Sequence, residues 1–449
     1  MTNSSKGFAQ KNSVMLKAFF IVCITLLLLI PTVMIQGIVN ERQQTKKQAI
    51  NEIGQKWGKE QTISGPFLTI PYTKLVKQYS QKDSTDVWIE ITNHVNILPE
   101  NLSIEGTINP EKRYRGIFEV VVYDSDISVS GDFAPFDSEK FDIEAKDLRL
   151  EDAYLSVGIS DLRGIQEQIE LTWGNTKKVF NPGTNNTNII SSGINAPLIL
   201  ENNGSPNILF DTFSFDISLK GSENLHFTPV GKESNINLKS NWTTPSFSGA
   251  FLPDNRSISE NGFNAHWNIL HLNRNYPQTW LNAKYKISNS SFGVDLLLPV
   301  DNYQKSERSI KYAILFIGLT FLVFFFIEII NRKKVHPIQY ILIGLALCVF
   351  YTLLLSISEH LTFNFSYLIS SFLTISLISG YTKTVLKSNS LTGLMSGILI
   401  TLYLFIYIIL QLQDYALLMG SIGLFVILGL VMFFSRKIDW FEINKEVKL

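Results

Sequence analysis

Cysteine is nearly absent from this chain. Its 449 residues include two, Cys23 and Cys348, and both lie inside uncharged apolar runs. A disulfide framework is therefore excluded for residues 41–309. That segment, roughly 270 residues, can bury a core without one. Blocks of Lys and Arg are missing as well, so the electrostatic footprint of a nucleic-acid binder is not there. No Gly-rich phosphate loop, HExxH, GxSxG or CxxC occurs, which argues against an enzyme and implies neither a cofactor nor a resident metal. Net charge is zero, but the balance is uneven. Residues 41–309 hold 26 Lys/Arg against 33 Asp/Glu, a net of −7, and the remainder holds 13 against 6, a net of +7. Two regions in different surroundings account for that split.

What the chain has in abundance is long apolar runs. The first, residues 18–40, follows Lys6, Lys11 and Lys17. It is too long for the apolar stretch of a cleaved signal peptide, and no small-x-small site closes it, so it reads as an uncleaved signal anchor. Pro31 is tolerable there as a kink. Five more runs occupy 312–330, 338–357, 365–382, 389–411 and 415–434, each near the ~20 residues that span a hydrocarbon core. Six spans are expected.

Their connections differ in charge. "NRKKVHP", "YTKTVLKSNS" and "SRKIDW" are basic, whereas "SEHLTFN" and "QLQDY" contain no Lys or Arg. The positive-inside rule then puts both termini and the basic connections in the cytoplasm, and residues 41–309 outside it. The expected layout is a cytoplasmic N-terminus (1–17), a signal anchor (18–40), a periplasmic domain (41–309), a five-helix bundle (310–435) and a cytoplasmic tail (436–449).

Between two of the apolar runs sits "SISEHLTFNF", which places Glu359 and His360 at the extracytoplasmic end of a span. A hydrated turn is the plain reading. The sharper one is a proton-sensing or ion-contacting pair, since His titrates near neutrality and a carboxylate raises its pKa. Glu328, near the opposite face, stands one turn before Arg332 and is expected to pair with it. "GLMSG", Gly393 to Gly397, has the small-xxx-small spacing that lets helices approach closely.

In residues 41–309 the segments "DVWIEITNHVNIL", "GIFEVVVYDSDISVSGDF", "FDTFSFDISL", "SNINLKSNW" and "WLNAKYKISNSSFGVDLLL" alternate or are β-branched, and turn-forming residues follow each. They predict a β-rich domain, sandwich-like or barrel-like. Residues 41–62 read as a helix continuing the first span, and 181–188 as an exposed loop. His266 and His271, five apart, would point to opposite faces of one strand, which argues against shared metal ligation. Asp161 and Arg163 in "SDLRG" read as a local salt bridge or turn. Arg274, among aromatics, reads as stacked or paired with a buried carboxylate.

Taken together, "WGKEQTISGPFLTIPY", "RYRGIFEVVVYDSDISVSGDF", "DLRGI", "SNWTTPSFSGAFLP", "GFNAHWNILHLNRNYPQTW", "VDNYQKSERSIKYAILFIGLTFLVFFFIE", "HPIQYILIGLALCVFYTLLLSISEH" and "RKIDWF" resemble the CreD family of bacterial inner-membrane proteins, in order and over nearly the whole chain. The resemblance implies a cell-envelope integrity protein linked to colicin tolerance, often under a two-component envelope-response system. It carries over no catalytic residues.

The expectation is thus an α+β membrane protein with six transmembrane helices, one N-terminal and five C-terminal, and a large β-rich extracytoplasmic domain. Its partners would be the lipid bilayer and an envelope protein or glycan. The acidic domain disfavours anionic head groups and nucleic acid. The competing reading is a transporter or channel component with Glu328, Glu359 and His360 as polar waypoints.

Overall fold

The computed structural model describes residues 13–80, 85–184, 189–201, 207–296, 298, 302–331, 333, 335–412 and 415–436. Lys6, Lys11, Arg332, Lys334 and Lys437, which carry part of the charge argument, lie outside these residues, as does much of the 181–188 stretch. The chain divides into two units, residues 1–46 with 300–449, and residues 47–299.

The first helical stretch is nearly continuous, as α1 (Ser13–Leu27) and α2 (Leu29–Trp57). The interruption at Leu28 has a local cause, because Pro31 lacks the N–H that would donate to the Leu27 carbonyl. The remaining helices are α3 (Asn302–Lys311), α4 (Ala313–Ile330), α5 (Pro337–Ser358), α6 (Phe363–Leu386), α7 (Asn389–Gln411) and α8 (Ala416–Ser435). Among the described residues five helical stretches are long and apolar enough to cross a membrane, not six. They are Leu16–Trp57 and α4 to α7. In α8 the apolar part is the shorter helix Leu417–Phe433.

Inside the bundle the tight contacts are not at Gly393 and Gly397. Open space surrounds both, whereas an added Cβ would collide with Leu28 and Phe321 at Gly344 of α5 and with Phe405 at Gly423 of α8. Leu28 is fully buried in the Gly344 notch. The spacing of small residues marks where helices can approach, and packing selects among such places.

Residues 61–296 form two large sheets. One has nine strands and the other eight. Burial alternates along the strands as period two requires. In Asn101–Arg115, Leu102, Ile104 and Ile108 face in while Glu105 faces out. In Gly262–Leu270, Phe263, Ala265, Trp267 and Ile269 face in. The inner faces meet in one core. Trp267 of the eight-stranded sheet lies 5.5 Å from Phe292 of the nine-stranded one, centroid to centroid, and 5.7 Å from Phe247. The sandwich-like reading is the one the structure adopts. The segment 280–298 is not one strand, however. Thr279–Leu281 and Phe292–Leu296 are separate, and Asn282 between them takes a left-handed conformation at φ 58° that ends the first.

Candidate functional site

Four of the six residues singled out by sequence hold the same N-terminal helix. At the start of α1, Lys17 is ion-paired with Glu328, near the end of α4. Glu328 is buried, and it also accepts the Val335 backbone N–H at 3.0 Å and the Tyr340 hydroxyl at 3.1 Å. The expected partner Arg332 lies outside the described residues, and Lys17, 311 positions away, supplies the charge. A buried carboxylate needs this many partners to offset its desolvation. In α2, Arg42 lies 3.4 Å from Glu359, the residue that ends α5. The Tyr303 hydroxyl donates to Glu359 at 3.3 Å. His360 beside it is exposed and has no hydrogen bond through its ring among the described residues. Lys17 and Arg42 stand 25 residues apart, about 38 Å along a helix. That exceeds the ~30 Å of a hydrocarbon core.

Within the second unit, the far end of α2 is gripped differently. Gly58, at φ 154°, follows Trp57 and donates its N–H to Gly54, ending the helix where only glycine is at ease. Arg163 donates through Nη1 to the Gln55 carbonyl in the last turn at 2.8 Å, a cation at a helix C-terminus. Its Nε and Nη2 donate to the two oxygens of Asp161 at 2.9 and 2.8 Å, and Asp161 also accepts the Lys59 backbone N–H at 3.0 Å. The Arg163 guanidinium holds the Asp161 carboxyl below the usual carboxylate range, against the opposing effect of burial. Arg113 and Lys220 lie 4.5 and 4.2 Å from the Trp57 ring centre, and the indole N–H donates to the Tyr123 carbonyl at 3.3 Å. Arg115 donates twice to Glu52, at 3.1 and 3.0 Å. Sequence reasoning missed Trp57, whose one local signal is its place at the close of a helical stretch.

Arg274 stands apart from this grip. It is buried, stacks 4.3 Å from the Tyr276 ring, and donates to the carbonyls of Tyr276 (2.6 Å) and Val230 (3.0 Å) and to the Gln278 side chain. The stacking is as expected, but backbone carbonyls and an amide take the place of a carboxylate. Burial pushes the guanidinium down to about 10, so it stays charged at neutral pH. Its role is to tie 230–231 to 274–278.

On the outward face of the eight-stranded sheet lies a groove of about 670 Å³, lined by Glu105, Asp126, Asn237, Lys239, Arg256 and His266 among others. A second hollow of about 350 Å³ shares Thr107, Lys239, Ser257 and Asn264 with it and extends it along the strands. Strand register explains its chemistry. Asn255, His266, Asn237, Glu105, Ser128 and Asp216 are successive partners across six strands. His266 Nδ1 donates to Asn237 Oδ1 at 2.7 Å, Asn237 Nδ2 to Glu105 at 2.6 Å, and the Ser128 hydroxyl to Asp216 at 2.6 Å. One row on, Ser257, Asn264, Lys239, Thr107, Asp126 and Ser218 align likewise. His271 is not on the strand with His266 but begins a short 3-10 turn after it. The face is amide- and hydroxyl-rich with balanced charge, suited to a polar ligand of low net charge.

The family model described as "Inner membrane protein CreD" matches residues 13–441. The Inner membrane protein CreD of Escherichia coli (strain K12) is 32% identical over 427 residues, covering 93% of this chain and 92% of that protein.

Proposed function

The chain belongs to the CreD family of inner membrane proteins, and from that premise we propose that it serves cell-envelope integrity without catalysing a reaction. In this reading residues 41–309 lie in the periplasm, both termini lie in the cytoplasm, and the β-rich domain binds an envelope glycan or protein. The observation that carries it is the doubled polar row on the eight-stranded sheet. Here Asn237, Asn255, Asn264, Ser128 and Ser257 line one groove with His266, Lys239 and Arg256 among them, and the first row is pre-ordered by side-chain hydrogen bonds. Such an ordered set of donors and acceptors loses little entropy on binding. The N-terminal helix, held within each unit by its own contacts, is the element through which an occupied domain would influence the bundle.

The test is in-cell photo-crosslinking from Ser257 and Asn264, with Lys177, at the other edge of the same sheet, as the control. A discrete protein or glycan adduct from the first two positions and not from the third is expected. Equal adducts at all three, or lipid adducts alone, would overturn the binding reading.

Against the transporter reading stands the engagement of Glu328 and Glu359 by Lys17 and Arg42, which leaves His360 as the unengaged one of its three named residues. Substituting Gln at Glu359 and His360 checks what remains of it. Unchanged envelope-stress resistance at normal abundance would leave a structural turn.

A further inference from the structure

At one end of the sandwich a strand is left bare. Asn255–Ser259 closes the eight-stranded sheet and, among the described residues, pairs only with Gly262–Leu270. All five of its residues are exposed. The other end strands carry the usual guards against further pairing, proline or lysine. Pro182 and Pro245 stand in those of the nine-stranded sheet, and Lys177 and Lys178 at the far edge of the eight-stranded one. Asn255–Ser259 has neither residue, and its one charge, Arg256, lies 5.9 Å from the Phe247 ring centre.

The bare edge has a fixed pattern. A two-residue turn, Glu260 and Asn261, joins Ser259 to its partner Gly262. In such a hairpin the closing pair exchanges both backbone bonds, and so does every second pair after it, here Ser257 with Asn264. The N–H and C=O groups of Arg256 and Ile258 therefore point away from Gly262–Leu270, beyond the end of the sheet.

The two sides of this edge differ in chemistry. Asn255, Ser257 and Ser259 line the polar groove and its extension. Ile258 shares the inner side with its partner Phe263, which packs 5.6 Å from Phe247 in the end strand of the other sheet. Ile258 is nevertheless 50% exposed, and the loop between Gly249 and Asn255 exposes Leu252. A glycan would fill the polar row but offers no regular ladder of N–H and C=O groups to the edge. An extended polypeptide offers both. We propose that Asn255–Ser259 receives an extended segment of a separate polypeptide as an added strand, its alternate side chains polar beside Ser257 and apolar beside Ile258. The proposal rests on the binding role given above and names the partner as protein.

In-cell photo-crosslinking from the full chain tests it, with the probe placed in turn at Asn255, Ser257 and Ser259 and the joined residues read by mass spectrometry. An added strand shifts the joined residue on one partner by two for each such step along the edge. Ile258→Pro removes an outward N–H that no internal bond uses, so the adduct from Ser257 should fall about tenfold while the hairpin stands. Ile258→Thr keeps the N–H and should stay within about threefold of the parent. The shift in register is read without either substitution. Adducts in no fixed register, or undiminished in Ile258→Pro, would overturn strand addition and leave the groove as the binding site. Adducts on glycan alone, or on a second copy of this chain, would overturn it too. No adduct from any of the three positions would remove the binding role with it.

Discussion

Along one helix, two styles of attachment can be compared. In the first unit α1 and α2 are held by two ion pairs, Lys17 with Glu328 and Arg42 with Glu359, and between them by Leu28 in the Gly344 notch. In the second unit the close of α2 is held by overlapping contacts, with Arg115 on Glu52, Arg163 on Gln55, and Arg113 and Lys220 on Trp57, and with Asp161 bracing Arg163. The second arrangement is redundant, so one loss leaves the others. The first is not, and each loss there exposes a charge. The difference separates a joint that is built once from one whose strength depends on the state of a few ionisable groups.

The comparison breaks most visibly at Glu328. Glu328→Ala leaves Lys17 unpaired and the Tyr340 hydroxyl without its acceptor, a loss of about 3–5 kcal/mol for a buried pair. The melting temperature of the full chain in nanodiscs should fall by at least about 6 °C, and an unchanged value would show that the pair does not hold α1. Next comes Trp57→Ala, which removes two cation–π contacts and a half-buried ring, for about 2 kcal/mol. Redundancy predicts that limited proteolysis still finds residues 47–57 protected.

A smaller effect separates the two joints by pH. The carboxyl of Asp161 is depressed in the folded protein, so its contribution is present above the ordinary carboxylate pKa of about 3.9 and is lost as pH falls below that toward the depressed value. Asp161→Asn should flatten the acid limb of the stability curve there, and a curve identical to the parent's would remove Asp161 from the joint. Smallest of all is Arg42→Gln. Arg42 is about half exposed, and such pairs contribute roughly 0–1 kcal/mol, so a shift of no more than ~3 °C is expected in a salt titration of melting. A larger shift would place Arg42 among the buried contacts.

Much of this fold was legible in advance because its signals are local. Alternation marks Thr85–Ile97 and Phe118–Asp132 as strands, and the apolar runs mark the helices. The grip on the N-terminal helix was not legible. Sequence spacing offers Glu328 the nearby Arg332, whereas Lys17 reaches it only after the chain has passed through the whole β-rich unit. The groove was half legible. Which of Glu105, Asn237 and His266 face outward follows from period two, but their alignment depends on the parallel pairing of Asn101–Arg115 with Glu233–Ser240, a register that no local pattern encodes. The expected count of six exceeds the five found among the described residues at the last run, where the apolar helix is Leu417–Phe433.

The two ion pairs also make α1 and α2 a gauge. An isolated membrane helix meets a thinner or thicker bilayer by tilting, at a modest cost per ångström of mismatch. A helix pinned near both faces to its neighbours cannot tilt alone. Any change in bilayer thickness must then be absorbed by the bundle as a whole or by breaking Arg42 from Glu359, the weaker of its two pins.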